Sequence, residues 1–256
     1  MPKNLILVED ANDALIFKAI VAQMKQENTE VTSTFLNADS ELVEYEKIGT
    51  APNPEKPTAL IAKFKVLRND FYNGKYAKLG IIFDMDTFNK EQRISMINLA
   101  LKNAYPDAHF SDIQDINEFN EILFEKGTSS ELQIKLACHF INVGGAGELE
   151  DLLRKIKNKD SHFADCLYES WAVCFESKGK VLSDDATNKN ITNKEMKKLW
   201  VDFYKRFDII PKKGDRNEKN TNWEQFLKDY PTAFDLANDS VTELQELKHF
   251  LSLFNS

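Results

Sequence analysis

The sequence predicts an α/β protein: a mostly parallel, doubly wound sheet flanked by helices, followed by a helical C-terminal region. Three observations predict it. Residues 5–8 and 79–83 are short apolar runs of the buried-strand kind. Each run leads into a segment with helical apolar spacing, and the last hundred residues are spaced almost wholly as helices.

Leu5-Ile6-Leu7-Val8 is continuous rather than alternating, which marks a strand covered on both faces. It ends in Glu9-Asp10. Over 11–26 the apolar positions Leu15, Ile16, Ala19, Ile20, Ala22 and Met24 follow a helix, with Asp10, Asn12 or Asp13 as its cap. Residues 31–36 alternate as a second strand. A helix over 40–47 and a loop over 49–57 holding three prolines come next. Residues 58–72 form an amphipathic helix through Leu60, Ile61, Phe64, Leu67 and Phe71. Leu79-Gly80-Ile81-Ile82-Phe83 is another buried strand, stopping at Asp84-Met85-Asp86-Thr87. A helix over 90–103 follows, with Ile94, Ile97, Leu99 and Leu101 at its apolar positions. Residues 119–125 and 132–143 read as two strands joined by a turn over 126–130. Gly144-Gly145-Ala146-Gly147 is an elbow into a helix over 148–156. The segments 161–176, 193–207, 223–230 and 242–253 are helical, with polar loops over 177–193 and 212–222. The chain divides into an α/β domain over 1–155 and a helical extension over 156–256.

Composition narrows the function classes. At 256 residues with 42% hydrophobic side chains, the chain can bury a sizeable core. Cys138, Cys166 and Cys174 are an odd set without a C-x-x-C pair, as expected of thiols in a reducing compartment. The four histidines show no metal-ligand spacing. Glu9, Asp10 and Asp13 interrupt the first apolar run, so it is no secretory signal, and no run approaches the ~18 apolar residues that span a bilayer. A soluble, cytoplasmic protein without a membrane partner is expected. The net charge of −8 opposes general affinity for phosphates, although residues 178–219 hold roughly twelve basic against seven acidic side chains. Lys197, Lys198, Lys205 and Arg206 are the candidate contacts to a nucleic-acid backbone. Trp171, Trp200, Phe203, Tyr204, Trp223 and Phe226 suit core packing first and base stacking second. No P-loop is present, so any nucleotide hydrolysis belongs to a separate ATPase subunit.

The chemistry concentrates where acidic residues end strands. In doubly wound sheets, ligands bind beyond the carboxyl ends of the strands, which is where Glu9, Asp84 and Asp86 fall. Asp84 and Asp86 are two residues apart, so in an extended segment both point the same way, roughly 6.6 Å apart along the chain. Two carboxylates repel by about 4 kcal/mol at 4 Å with an effective dielectric of 20, which a cation relieves. Mg²⁺ or Mn²⁺ takes such hard oxygen ligands and supports phosphodiester hydrolysis. The plainer reading is that Asp86 or Thr87 caps the next helix and Glu9 is an exposed strand end.

Leu5-Ile6-Leu7-Val8-Glu9 with Asp13 resembles the entry motif of TOPRIM domains, a hydrophobic strand ending in glutamate. Gly80-Ile81-Ile82-Phe83-Asp84-Met85-Asp86-Thr87 resembles their D-x-D strand. Gly147-Glu148-Leu149-Glu150-Asp151-Leu152-Leu153 is similar to a segment of a small group of bacterial TOPRIM-like proteins. Those proteins are related to the TOPRIM domains of overcoming-lysogenization-defect and phage-defence nucleases. The resemblance covers roughly residues 1–155. It implies a Rossmann-like TOPRIM fold and a nuclease that cleaves DNA or RNA with Mg²⁺ or Mn²⁺, with Glu9 as ligand or general acid/base and Asp84 and Asp86 as ligands. Glu148, Glu150 or Asp151 would complete a second metal site, with Glu150 the first choice. Asp10 stands where the family usually has glycine after the glutamate; it is either another ligand or a sign that phosphate no longer binds there.

Two other readings stand beside this one. Ile81-Ile82-Phe83-Asp84-Met85-Asp86-Thr87 also looks like the first motif of haloacid-dehalogenase-type phosphatases, with Asp84 as nucleophile, Asp86 as general acid/base, Asp184-Asp185 as a late acidic pair and Lys178 or Lys180 as their lysine. A TOPRIM-like domain can also serve as a non-catalytic module that partners an ATPase.

Overall fold

A computed structural model describes residues 2–26, 28–33, 57–86, 88–126, 130–144, 147–178, 192–216 and 223–255. The helix expected over 40–47, the end of the strand expected over 31–36, Asp184, Asp185, Lys180 and most of both polar loops lie outside these residues. The chain forms two compact units, Met1–Gly147 with Gln245–Ser256, and Glu148–Leu244. The division therefore falls before the helix that follows Gly147, and the last residues return to the first unit, whereas the sequence placed a single boundary at 155.

The first unit is a six-stranded, mostly parallel sheet flanked by helices. Its strands are β1 (Lys3–Val8), β2 (Thr29–Ser33), β3 (Tyr76–Asp84), β4 (Ala108–His109), β5 (Asn120–Lys126) and β6 (Ser130–Ile141), in the order β2-β1-β3-β6-β5-β4. The strands from β2 to β6 in that order are parallel, while β5 and β4 add an antiparallel margin. The helices between them are α1 (Ala11–Gln23), α2 (Thr58–Tyr72) and α3 (Lys90–Ala104). The continuous apolar runs of β1 and β3 are explained by burial on both faces. On one face Leu5, Leu7, Leu79, Ile81 and Phe83 meet Leu60, Phe64, Phe71, Met96, Ile97 and Leu101 of α2 and α3. On the other face lies the end of the chain. A β-carbon on Gly80 would stand 2.8 Å from Phe254 and 3.0 Å from Phe250, so the missing side chain makes room for two rings.

His139, in β6, also meets Phe250, with ring centroids 5.5 Å apart. It is 1% exposed, and its Nδ1 lies 2.8 Å from Asn117 Oδ1. Burial alone pulls its pKa down to about 3, so the ring is neutral. Asn4 Nδ2, Gln26 Nε2 and Lys78 Nζ donate to the carbonyls of Phe254, Leu251 and Leu253. These bonds fasten residues 251–254 to the sheet unit.

The second unit holds α4 (Leu149–Lys155), α5 (His162–Ser177), α6 (Asn193–Phe203) and α7 (Trp223–Asp229). Another helix, α8 (Thr242–Ser252), begins here and runs on into the first unit. After α6 the chain continues as a π-helical turn, Tyr204–Ile209. Trp200 and Tyr204 stack at 5.2 Å within the buried core of this unit. Asp165 accepts from Lys157 Nζ and Trp200 Nε1, both at 2.8 Å, and from the Ser161 hydroxyl. Burial would raise that carboxyl, but these donors outweigh it and hold the pKa at about 2. Among the described residues no helix is long and apolar enough to cross a membrane.

Candidate functional site

Glu9 is the first residue after β1 and Asp84 the last of β3, and β1 and β3 are parallel neighbours with Val8 opposite Ile82. The two acidic strand ends therefore lie at the same carboxyl edge, and both residues are only 6% exposed. Local chemistry fixes the backbone on each side. Asp10 caps α1, its Oδ1 accepting from Asn12 N at 2.7 Å and Asp13 N at 2.9 Å, while Asp10 N donates back to Asp13 Oδ2. That reciprocal capping explains why an aspartate can follow Glu9.

After β3 the turn is held by Gly147, whose carbonyl accepts from Met85 N at 2.9 Å and Asp86 N at 3.3 Å. A β-carbon on Gly147 would lie 2.2 Å from Val143 N, so only glycine brings its carbonyl this close. Asp86 has φ +48°, a left-handed conformation that aspartate tolerates better than most side chains. Asp86 does not cap the following helix. Asn89 does, its Oδ1 accepting from Gln92 N at 2.8 Å.

The residue that organises this edge is Arg93, in the second turn of α3. Its side chain is 0% exposed, and its Nη2 lies 2.9 Å from Asp86 Oδ2 and 3.9 Å from Glu9 Oε2. The guanidinium carbon sits 4.7 Å from the centroid of Phe88 and 5.8 Å from that of Phe83, a cation–π setting. The cation shared by Glu9 and Asp86 in this structure is thus part of the chain. Among the described residues no group of three or more His, Cys, Asp or Glu is arranged to hold a metal ion. Sequence reasoning passed over Arg93. The available signal was its position: with Met96, Ile97 and Ala100 it lies on the buried stripe of α3, where an arginine requires an acidic partner.

The other expected site residues lie in the second unit. Glu150 is in the first turn of α4, where burial pushes its carboxyl pKa up. Lys197 pairs with Asp151 at 2.8 Å and Glu148 at 3.4 Å. Lys205 is 1% exposed, with its Nζ 4.0 Å from the centroid of Trp223 and 5.2 Å from that of Phe226. A side chain so enclosed does not reach a phosphate backbone, which corrects the expectation for Lys205. Lys197 is likewise committed to carboxylates within its own unit. Lys198 and Arg206 are partly exposed. Trp200, Tyr204 and Phe226 are buried as core, and Phe203, Trp171 and Trp223 are partly exposed.

Residues 3–207 match the model of a family described as "Protein of unknown function (DUF3226)". No curated protein and no solved structure matches the chain.

Proposed function

We propose that this chain, which belongs to the DUF3226 family, is a TOPRIM-like, divalent-metal-dependent nuclease hydrolysing phosphodiester bonds of DNA or RNA. The proposal includes a cytoplasmic location, consistent with three free cysteines, and a role as an anti-phage effector beside a separate ATPase subunit. One observation carries it: acidic residues from the ends of two neighbouring parallel strands gather at a single edge, around one buried guanidinium.

The donor set fits Mg²⁺ or Mn²⁺ in its chemistry. Such ions take one or two carboxylates and complete their shell with water and substrate phosphate, so a closed three-carboxylate cage is not required. Glu9, Asp84 and Asp86 are the residues that would hold the ion. When bound, the ion would polarise a phosphoryl oxygen and lower the pKa of a coordinated water. Gly147 and the Asp10 cap fix the two strand ends, and Arg93 orients Asp86. Glu9, next to the D-x-D turn, is the group we assign to proton transfer.

The test is Mn²⁺-dependent cleavage of single- and double-stranded DNA and of RNA. Glu9→Gln and Asp84→Asn should each lower the rate by about 10²-fold or more. Undiminished cleavage in both variants would move the chemistry elsewhere. A second reading, the non-catalytic module partnering an ATPase, is favoured by Arg93 already offsetting the charge of Asp86 and Glu9. It predicts no cleavage of any polymer and a stable complex with the ATPase. The phosphatase reading, with Asp84 as nucleophile, predicts hydrolysis of small phosphomonoesters and a dispensable Glu9.

A further inference from the structure

The inference concerns Arg93 and rests on the metal-dependent reading above. Its guanidinium is wholly buried and reaches the acidic edge through Nη2. Nε and Nη1 are buried without a hydrogen-bond partner among the described residues. A guanidinium placed for bidentate recognition uses its donors in pairs, as a fork. Here the paired geometry is missing, and what Arg93 delivers to the edge is charge. Phe88 and Phe83 hold that charge in place.

The charge has a consequence for cation binding. The same positive charge stands 2.9 Å from an oxygen of Asp86 and 3.9 Å from one of Glu9. It repels any cation that these oxygens bind, and it competes for Oδ2 of Asp86. In a site only 6% exposed at Glu9 and Asp84, screening by water is weak.

We propose that Arg93 is a resident counter-ion and positioning residue. It holds Glu9 and Asp86 together when no metal is bound, and it weakens divalent binding. Firm occupancy by the ion then depends on the negative charge of a substrate phosphate. Removing the arginine should therefore tighten the hold on a bare ion, the opposite of what loss of an ordinary supporting residue does.

The experiment is calorimetric titration of the full chain with Mn²⁺ alone. Arg93→Gln should bind Mn²⁺ at least about tenfold tighter than wild type, and Arg93→Lys, which keeps the charge, within about threefold of wild type. Weaker or unchanged binding by folded Arg93→Gln, with measurable binding by wild type, overturns this proposal and leaves the metal-dependent reading standing. No Mn²⁺ binding by wild type or either variant overturns both. Wild type gives a second measurement should Arg93→Gln fail to fold. The ¹⁵Nε resonance of Arg93, assigned by its absence in Arg93→Lys, should shift during a Mg²⁺ titration. A stationary Arg93 signal while the amides of Glu9 and Asp86 move would overturn the proposal.

Discussion

His139 should make the sheet unit acid-labile by an amount that can be worked out beforehand. Its pKa is about 3 in the folded chain, because burial disfavours the imidazolium, against 6.5 unfolded. Between these values the unfolded state binds the extra proton, so stability falls as pH drops below 6.5 and the loss is complete near pH 3. The full shift corresponds to about 5 kcal/mol, and the portion between pH 7.5 and pH 5.0 to about 2 kcal/mol. The comparison is with His139→Gln, whose amide can still donate to Asn117 Oδ1 but does not titrate. All three tryptophans, Trp171, Trp200 and Trp223, lie in the second unit, so urea unfolding should be followed by far-ultraviolet circular dichroism. Wild type should lose about 2 kcal/mol more than His139→Gln on going from pH 7.5 to 5.0, since the carboxylates common to both cancel. An equal loss in the two proteins would refute the reasoning, because it would mean that the ring is protonated in the native sheet at no cost.

Three further outcomes are expected. Burial lowers the pKa of Lys205 to about 8, so stability should rise from pH 8 to pH 10.5 as the unfolded state ceases to hold the extra proton. Wild type should gain about 3 kcal/mol more than Lys205→Met over this range, read by tryptophan emission during urea unfolding. Gly80→Ala should destabilise by about 1–3 kcal/mol in thermal melts, and adding Phe254→Ala should recover part of that loss, because the new methyl meets the ring of Phe254 first. Gly147→Ala meets backbone rather than a movable ring, so it should cost about 3 kcal/mol and also slow Mn²⁺-dependent cleavage, since the Gly147 carbonyl secures Met85 and Asp86.

Much of the sheet unit was legible in the sequence because its signals are local. The apolar runs before Glu9 and Asp84, each followed by helical spacing, mark β1-α1 and β3-α3 directly, and strand polarity then puts both acidic ends on one edge. What depends on distant partners was not legible. Nothing near residue 245 indicates that the chain returns to cover Gly80, and the two-residue strand Ala108–His109 exists only through its pairing with β5. On α3 the apolar pattern took Leu99 as a core position, yet it is 37% exposed while Arg93 beside the acidic edge is 0% exposed. Hydropathy ranks those two residues the other way round, and only the carboxylates of Asp86 and Glu9 reverse the order. Lys205 was misread for the same reason. A lysine in a basic, aromatic helix looks solvated until Trp223 and Phe226 are folded over it.

The return of the chain end to the sheet has a consequence for how this protein is made. On the ribosome, β3 and β6 emerge long before Phe250 and Phe254, with the whole of Glu148–Leu244 translated in between. A nascent chain paused ahead of residue 245 therefore displays a bare groove over Gly80, a binding place for chaperones and a hazard for aggregation. The same groove offers a tool: a synthetic peptide of residues 245–256, supplied in trans to a chain truncated at 244, should dock there and reconstitute the sheet unit.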